Sequence, residues 1–136
     1  MRRSQQDRWR RQRGQSLLET AIMLIVIFAV LFWVFEMGQL MYTYVVLADA
    51  ANEGVRYAIV HSGADPTGTQ TKVKSFAATS MHDISSISVT VSAPDTTYDP
   101  PNRVRVKVSY TYIPSLYIFN TAPTLTTYAE GRMVVQ

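Results

Sequence analysis

The chain contains no cysteine, which removes a whole set of structures and reactions. Without thiols there are no disulfide bonds, no thiolate metal sites and no cysteine nucleophile, so a folded part of the chain is held together by packing. The sequence also lacks a G-x-S-x-G nucleophile motif and a phosphate-binding glycine loop. Its two histidines, His61 and His82, belong to no short cluster of metal-ligand residues. We therefore expect no catalytic residue, no metal, no cofactor and no small-molecule substrate, and predict that the protein is not an enzyme.

Charged side chains are absent from residues 20–35, whose sequence is TAIMLIVIFAVLFWVF. The segment from Gln15 to Phe35 would form roughly 31 Å of helix at about 1.5 Å per residue. The hydrocarbon core of a bilayer is about 30 Å thick. The sequence therefore predicts one helix that crosses a membrane once.

The basic residues are distributed unevenly. Before Gln15 there are six arginines and one acid, Asp7, whereas the rest of the chain carries seven basic and nine acidic residues. A mildly acidic body lacks the electrostatic footprint of a nucleic-acid-binding protein, so we expect no nucleic-acid partner. Arginines that precede an apolar span stay in the cytoplasm. We therefore predict a cytoplasmic amino terminus and an extracytoplasmic carboxyl-terminal part. The six arginines are Arg2, Arg3, Arg8, Arg10, Arg11 and Arg13.

The helical pattern continues beyond the apolar run and predicts a helix from about Ser16 to Val60. Apolar residues recur there at the 3.6-residue period of an amphipathic helix, and polar residues occupy the other side. This second half is expected to pack on a small domain. Gly38 near the junction has two readings, a locally flexible point or a site of close helix packing. The apolar stripe comprises Leu40, Tyr44, Leu47, Ala51, Val55 and Ala58, and the polar side comprises Asp49, Asn52, Glu53 and Arg56.

The remaining residues predict a small α+β domain. Gly63 and Pro66 end the long helix, and apolar spacing within residues 72–82 indicates a short second helix. Alternating apolar and polar residues then predict two antiparallel strands, around Ile87 to Ser92 and Arg103 to Tyr112, each with one solvent-exposed face. A third strand is predicted over roughly residues 125–134. The predicted fold is a long N-terminal helix packed on a three-stranded antiparallel sheet. Its parts are a basic leader (1–14), a transmembrane half-helix (15–36) and an extracytoplasmic domain (37–136).

Glu19 stands at the mouth of the apolar run, where an ionised side chain is costly. On membrane-insertion scales, an ionised residue costs about 2.5 to 3.5 kcal/mol at the centre of a span and less near its end. Either a partner neutralises the carboxylate, or the dipole of the helix amino terminus stabilises it, which contributes about 0.3 to 1 kcal/mol. Gly14 precedes this region, and glycine is suited to extended backbone that enters a peptidase site. We therefore expect that the helix has not yet begun at Gly14.

The layout resembles the type IV pilin class. Within it, the segments EMGQL at 36–40 and AANEGVRYA at 50–58 are similar to the TadE-like family, the minor pseudopilins of the Tad (type IVc) pilus system. The resemblance implies a pilin-like fold, cleavage after Gly14 by a prepilin peptidase, Gln15 as the first mature residue, and pairing of Glu19 with the amine of a neighbouring subunit. The implied partners are the cytoplasmic membrane, other pilins and pseudopilins, and the Tad assembly platform. Candidate interface residues for contact with other subunits are Glu36, Gly38, Glu53 and Arg56, and Glu36 alternatively marks the outer interface of the membrane.

Two other functions fit the same layout. The chain is then either an uncut, single-pass anchored envelope adaptor or sensor, or a secreted binding domain with a removable signal peptide. Ala48-Asp49-Ala50 offers an A-x-A cleavage site for the latter. That site lies far from the apolar run, with Glu36 between them, which disfavours the secreted alternative.

Overall fold

A single helix, α1, spans Arg3–Val60. The computed structural model describes residues 3–61, 65–81, 83–98, 102–114 and 122–133, and for 3–13 it describes the backbone alone. The predicted carboxyl-terminal end at Val60 is confirmed. The predicted start at Ser16 is wrong, because the helix also runs through the leader. Arginine and glutamine are strong helix formers, so one glycine at a cost of about 1 kcal/mol does not interrupt them.

The second helix, α2, spans Pro66–Ser80 and begins earlier than the predicted Lys72. Asp65 caps it, since its Oδ1 accepts a hydrogen bond of 2.8 Å from the backbone N–H of Gly68. Pro66 therefore does not act only as a stop signal, because proline is also well suited to the first position of a helix, where its missing N–H has no partner to lose. His82, the last residue of the predicted helix, lies outside the described residues.

Three strands form an antiparallel meander in the order β1-β2-β3, which confirms the predicted sheet. They span Ile87–Ser92 (β1), Arg103–Thr111 (β2) and Thr124–Arg132 (β3). The register places Val89 opposite Val108 and Val106 opposite Ala129, so the apolar faces of the strands align. The third strand ends two residues before the predicted Val134, which itself lies outside the described residues. The architecture is α+β.

The chain divides into two compact units, Met1–Gly38 and Gln39–Gln136. In the second unit, the carboxyl-terminal half of α1 packs on the sheet and on α2. Two glycines allow the close approach: a Cβ on Gly54 would overlap the side chain of Val73, and one on Gly131 would lie 2.6 Å from Cγ1 of Val55. The buried core comprises Leu47, Ala50, Ala51, Val55 and Ala58 of α1, Val73 and Ala77 of α2, and Ile87, Val89, Val104, Val106, Val108, Tyr110, Tyr112 and Met133.

One member of the predicted apolar stripe does not belong to this core. Tyr44 is exposed and Leu40 is half-buried, whereas Ala50, which the stripe omitted, is fully buried. Val46 and Leu47, about two turns after Gly38, are therefore the first apolar residues of α1 that are buried. The predicted packing of the second half of α1 on a small domain is otherwise confirmed.

Candidate functional site

Gly14 lies inside helix α1, exposed, with nothing within 4 Å of the position a Cβ would take. The expectation that the helix has not begun at Gly14 is therefore wrong. The physical reason is the leader, whose helix formers continue on the amino-terminal side of the glycine without a proline. Gln15 follows as an exposed helical residue.

Glu19 is exposed one turn after Gln15, so the two side chains share a face of the helix. Together with Leu18, Ile22 and Met23 they line a shallow depression on the surface of α1. Among the side chains that the structure describes, none forms a salt bridge with Glu19. Helix α1 extends back to Arg3, more than four turns away, so in the intact chain Glu19 is not in the first turn. The reading in which the helix dipole stabilises Glu19 is therefore wrong for the intact chain.

The apolar residues that follow Glu19 are uncovered. From Leu17 to Phe35 the large apolar side chains are 47 to 72% exposed. Helix residues Gly14–Val60 contain a stretch that is long and apolar enough to cross a membrane, and no part of that stretch is buried. A single helix that is apolar all round requires lipid or other apolar helices around it. The chain is therefore read as a single-pass, membrane-anchored protein.

Glu36 lies 17 residues beyond Glu19, roughly 25 Å along the helix axis. In contrast to Glu19 it is buried, with 6% of its surface exposed. It also takes part in a polar or electrostatic interaction, as a buried carboxylate must if its desolvation is to be offset. Its two predicted roles, marking the outer interface of the membrane and pairing with another subunit, both stay predictions.

Gly38 is helical, and a Cβ at this position would meet nothing within 4 Å. The structure therefore displays neither of its two proposed properties, since the helix is not melted here and no described neighbour packs closely on the glycine. It marks the end of the first compact unit. Like Gly14, it is an open helical glycine.

Glu53 and Arg56 lie one turn apart in the second unit. Glu53 accepts contacts from two cations: its Oε2 is 4.0 Å from Nη1 of Arg56, and its Oε1 is 3.7 Å from Nζ of Lys72. Glu53 thus joins α1 to α2, although exposed ion pairs of this kind contribute only about 0 to 1 kcal/mol. The Arg56 side chain is 82% exposed and remains available to another molecule.

An ion-pair network that the sequence analysis missed lies at the start of β2. Arg103 donates to Asp95 through Nη2 (2.9 Å to Oδ1), Nε (3.2 Å to Oδ2) and its backbone N–H (2.9 Å to Oδ2). The hydrogen bonds from the Arg103 side chain have the largest effect, and the bond from its backbone N–H comes next. Together they lower the pKa of Asp95 from 3.8 to about 2, and Asp95 in turn raises the pKa of Arg103.

Glu130 of β3 extends this network across the strands. It pairs with Nη1 of Arg103 at 3.5 Å and with the guanidinium of Arg105, whose Nε donates at 2.5 Å. The sequence alternation along β2 predicted that Arg103 and Arg105 lie on the solvent-exposed face of the strand. The acidic partners of these arginines could not be predicted, because Asp95 lies in the β1–β2 loop and Glu130 in β3, and only the strand register brings them close.

The network is part of the exposed side of the sheet, which we call the outer sheet face. Its opposite side carries the core residues of the strands. The face displays hydroxyl, charged and aromatic side chains. It consists of Ser88, Thr90 and Ser92 of β1, Arg103, Arg105, Lys107, Ser109 and Thr111 of β2, and Thr124, Thr126, Tyr128, Glu130 and Arg132 of β3.

The candidate residues thus separate into two groups. Gly14, Gln15, Glu19, Glu36 and Gly38 belong to the first unit, where only Gln15 and Glu19 come together. Glu53 and Arg56 form a pair in the second unit. Among the described residues, no three of the types His, Cys, Asp and Glu are grouped as metal ligands are.

The family model described as TadE-like protein matches residues 14–56. This segment is less than half of the chain, but it contains all seven candidate residues, from Gly14 to Arg56. The resemblance to the TadE-like family is confirmed over this segment. No curated protein and no solved structure matches the chain.

Proposed function

We propose that the chain is a minor pseudopilin, a structural component in the assembly of a Tad-type (type IVc) pilus. The TadE-like match indicates association with a Tad pilus. The observation that carries the finer proposal is the uncovered apolar helix from Leu17 to Phe35 with one acid, Glu19, at its start. Such a helix fits lipid before assembly and a bundle of similar helices after it.

The arrangement in the membrane follows from charge. The arginine-rich leader stays in the cytoplasm by the positive-inside rule, so the unit Gln39–Gln136 faces outward. The protein resides in the cytoplasmic membrane and, after assembly, in the pilus. Its partners are other pilins and pseudopilins and the Tad assembly platform.

Processing by a prepilin peptidase after Gly14 requires local unwinding of α1, because the helix runs through the cleavage point. Glycine is about 1 kcal/mol less stable in a helix than alanine, so opening is easiest at Gly14, the first glycine of the chain. Its open surroundings leave room for a peptidase to reach the backbone.

Cleavage changes the surroundings of Glu19. In the intact chain the Glu19 carboxylate has no ion-pair partner among the described side chains. It also lies more than four turns from the start of helix α1 at Arg3. After cleavage Gln15 carries a new α-amine, and Glu19 comes within about one turn of a helix amino terminus. The amine of a neighbouring subunit then neutralises Glu19, which couples charge neutralisation to entry into the pilus.

The secreted alternative is disfavoured by packing. Cleavage after Ala50 would cut α1 next to fully buried residues and remove Leu47 and Ala50 from the core of the second unit. The uncut anchored adaptor or sensor remains a second candidate, because the exposed apolar helix fits a permanent anchor equally well.

Intact mass measurement on the protein from its own membrane separates the three functions. Cleavage after Gly14 leaves 122 of the 136 residues, cleavage after Ala50 leaves 86, and an anchor stays whole. We expect Gly14→Ala to stay uncut. Gly38→Ala is the matched control, because both positions are open helical glycines. A Gly14→Ala chain that is shortened after residue 14 like the wild type would contradict the role of Gly14.

Glu19→Ala tests the pairing step. We expect this variant to be cut but to lose copurification with assembled pilins, whereas Thr20→Ala, its exposed neighbour, should retain it. Normal assembly of the Glu19→Ala chain would rule out the charge pairing while leaving the processing result intact.

A further inference from the structure

The outer sheet face concentrates the positive charge of an otherwise acidic body. Four of the seven basic residues that follow Gln15 lie on it: Arg103, Arg105, Lys107 and Arg132. Asp95 and Glu130 neutralise the two arginines at the start of β2. Among the described side chains, Lys107 and Arg132 have no ion-pair partner. Arg132 also helps to lower the pKa of Asp95, so the four cations against the two acids Asp95 and Glu130 leave this face a net charge of +2.

An exposed aromatic ring lies beside these cations. Tyr128 is 66% exposed and sits directly opposite Lys107 in the register of β2 and β3. The guanidinium carbon of Arg105 lies 5.4 Å from the centre of the ring, within the range of a cation–π interaction. The guanidinium of Arg105 thus lies over the Tyr128 ring, and Lys107 stands opposite Tyr128 on the neighbouring strand.

Hydroxyl groups surround the ring and Lys107. Thr90 of β1 lies opposite Lys107, which makes a row of Thr90, Lys107 and Tyr128 across the sheet. The adjacent row holds Ser109 and Thr126, whose hydroxyl oxygens are 3.3 Å apart. Both hydroxyls donate and accept hydrogen bonds. The surface around the ring is therefore polar and rich in hydrogen-bonding groups.

We propose that the outer sheet face binds an acidic polysaccharide, with a sugar ring on Tyr128 and a sugar carboxylate on Lys107. An aromatic ring offers a flat apolar platform to the C–H face of a sugar, and the phenol hydroxyl remains wet. The ammonium of Lys107 attracts the carboxylate. The serine and threonine hydroxyls match the hydroxyl groups of the sugar.

The same features argue against other partners. A nucleic-acid strand binds on successive aromatic platforms and a strongly positive groove, whereas this face has one exposed ring among its described residues and a net charge of only +2. A protein partner buries an apolar centre at the heart of its interface. Here the surroundings of Tyr128 are hydroxyl-bearing and charged.

The test uses the full-length chain in detergent micelles and a hexamer of galacturonic acid as the probe. We expect Tyr128→Ala and Lys107→Gln each to weaken binding about tenfold, the effect of about 1.4 kcal/mol. The loss with Lys107→Gln should shrink as salt is added. Lys74→Gln, an exposed lysine on α2, and Tyr44→Ala, an exposed tyrosine on α1, are the matched controls and should bind like the wild type. Both test positions are exposed, so the fold should remain intact in each variant, and thermal unfolding checks this. Loss of the contact with Arg105 should lower the melting temperature of Tyr128→Ala only slightly.

Two further probes decide the class of ligand. Neutral maltohexaose should bind more weakly than the acidic hexamer, and a single-stranded thymidylate dodecamer should bind no more tightly than the acidic hexamer. Equal binding of maltohexaose would remove the role of charge, and tighter binding of the thymidylate would identify a nucleic-acid surface instead. Wild-type binding by both test variants would overturn the site. The measurement needs no pilus, so its failure leaves the proposed function untouched.

Discussion

The two compact units use apolar side chains in opposite ways. In the first unit, Met1–Gly38, the large apolar residues from Leu17 to Phe35 are exposed, and Leu31 is 57% exposed. In Gln39–Gln136 the same kind of residue turns inward, and Leu47 is fully buried. Burying a leucine or phenylalanine contributes about 1.5 to 3 kcal/mol. The second unit obtains this stabilisation from its own strands, whereas the first obtains it only from lipid or from other helices.

The largest effect should come from shortening a leucine in each unit. Leu47→Ala removes a fully buried side chain from the core, which we expect to destabilise the second unit by about 2 to 5 kcal/mol. Leu31→Ala removes an exposed side chain of the same type and should leave that stability unchanged. Urea unfolding of the full chain in micelles, followed by circular dichroism of the sheet, measures both. Equal losses would mean that the contrast between the units is not one of burial.

A smaller effect is expected from adding a methyl group to a helical glycine. At Gly54 the new Cβ overlaps Val73 and lies 3.3 Å from Cγ1 of Val106, so Gly54→Ala should cost about 1 to 3 kcal/mol despite its better helix propensity. Gly38→Ala meets nothing and belongs to the first unit, so it should leave the stability of the second unit unchanged. The same unfolding experiment measures the pair. A stabilising Gly54→Ala would show that α1 and α2 separate easily.

The smallest effect concerns pH. Because Arg103 lowers the pKa of Asp95 from 3.8 to about 2, ionised Asp95 stabilises the fold fully above about pH 4, and this stabilisation is lost as the pH falls towards 2. Asp95→Asn should therefore be less stable than the wild type at neutral pH. The difference should close between pH 4 and pH 2.

Melting temperatures of both chains across this pH range test the expectation. Asp49→Asn, at an exposed position of α1, serves as the control acid. A difference between wild type and Asp95→Asn that persists unchanged at pH 2 would show that the asparagine acts through shape and not through charge.

The strands were the part of the fold most readable from sequence. Alternation at Val104, Val106 and Val108 identified the buried face of β2, and the turn-rich loop before it indicated an antiparallel neighbour. Helix starts were less readable. Pro66 is compatible with both a stop and a first helical position, and the hydrogen bond from Gly68 to Asp65 decides for the latter.

The candidate site was predicted unequally. The open position of Glu19 follows from an apolar segment with no core to join. The burial of Glu36, one residue beyond that segment, could not be predicted, because nothing in its local sequence distinguishes a solvent-exposed acid from a buried one. The Asp95–Arg103–Glu130 network was equally hidden, because its members are far apart along the chain.

The sequence by itself determined that an apolar helix with one acid at its start needs an environment that this chain does not contain, because hydropathy and charge are local properties. Tertiary structure alone decided where along α1 the burial begins, how closely Gly54 and Gly131 bring the layers together, and which cations of the sheet form ion pairs. Those outcomes depend on strand register and on contacts between residues distant in sequence, where no local pattern carries the information.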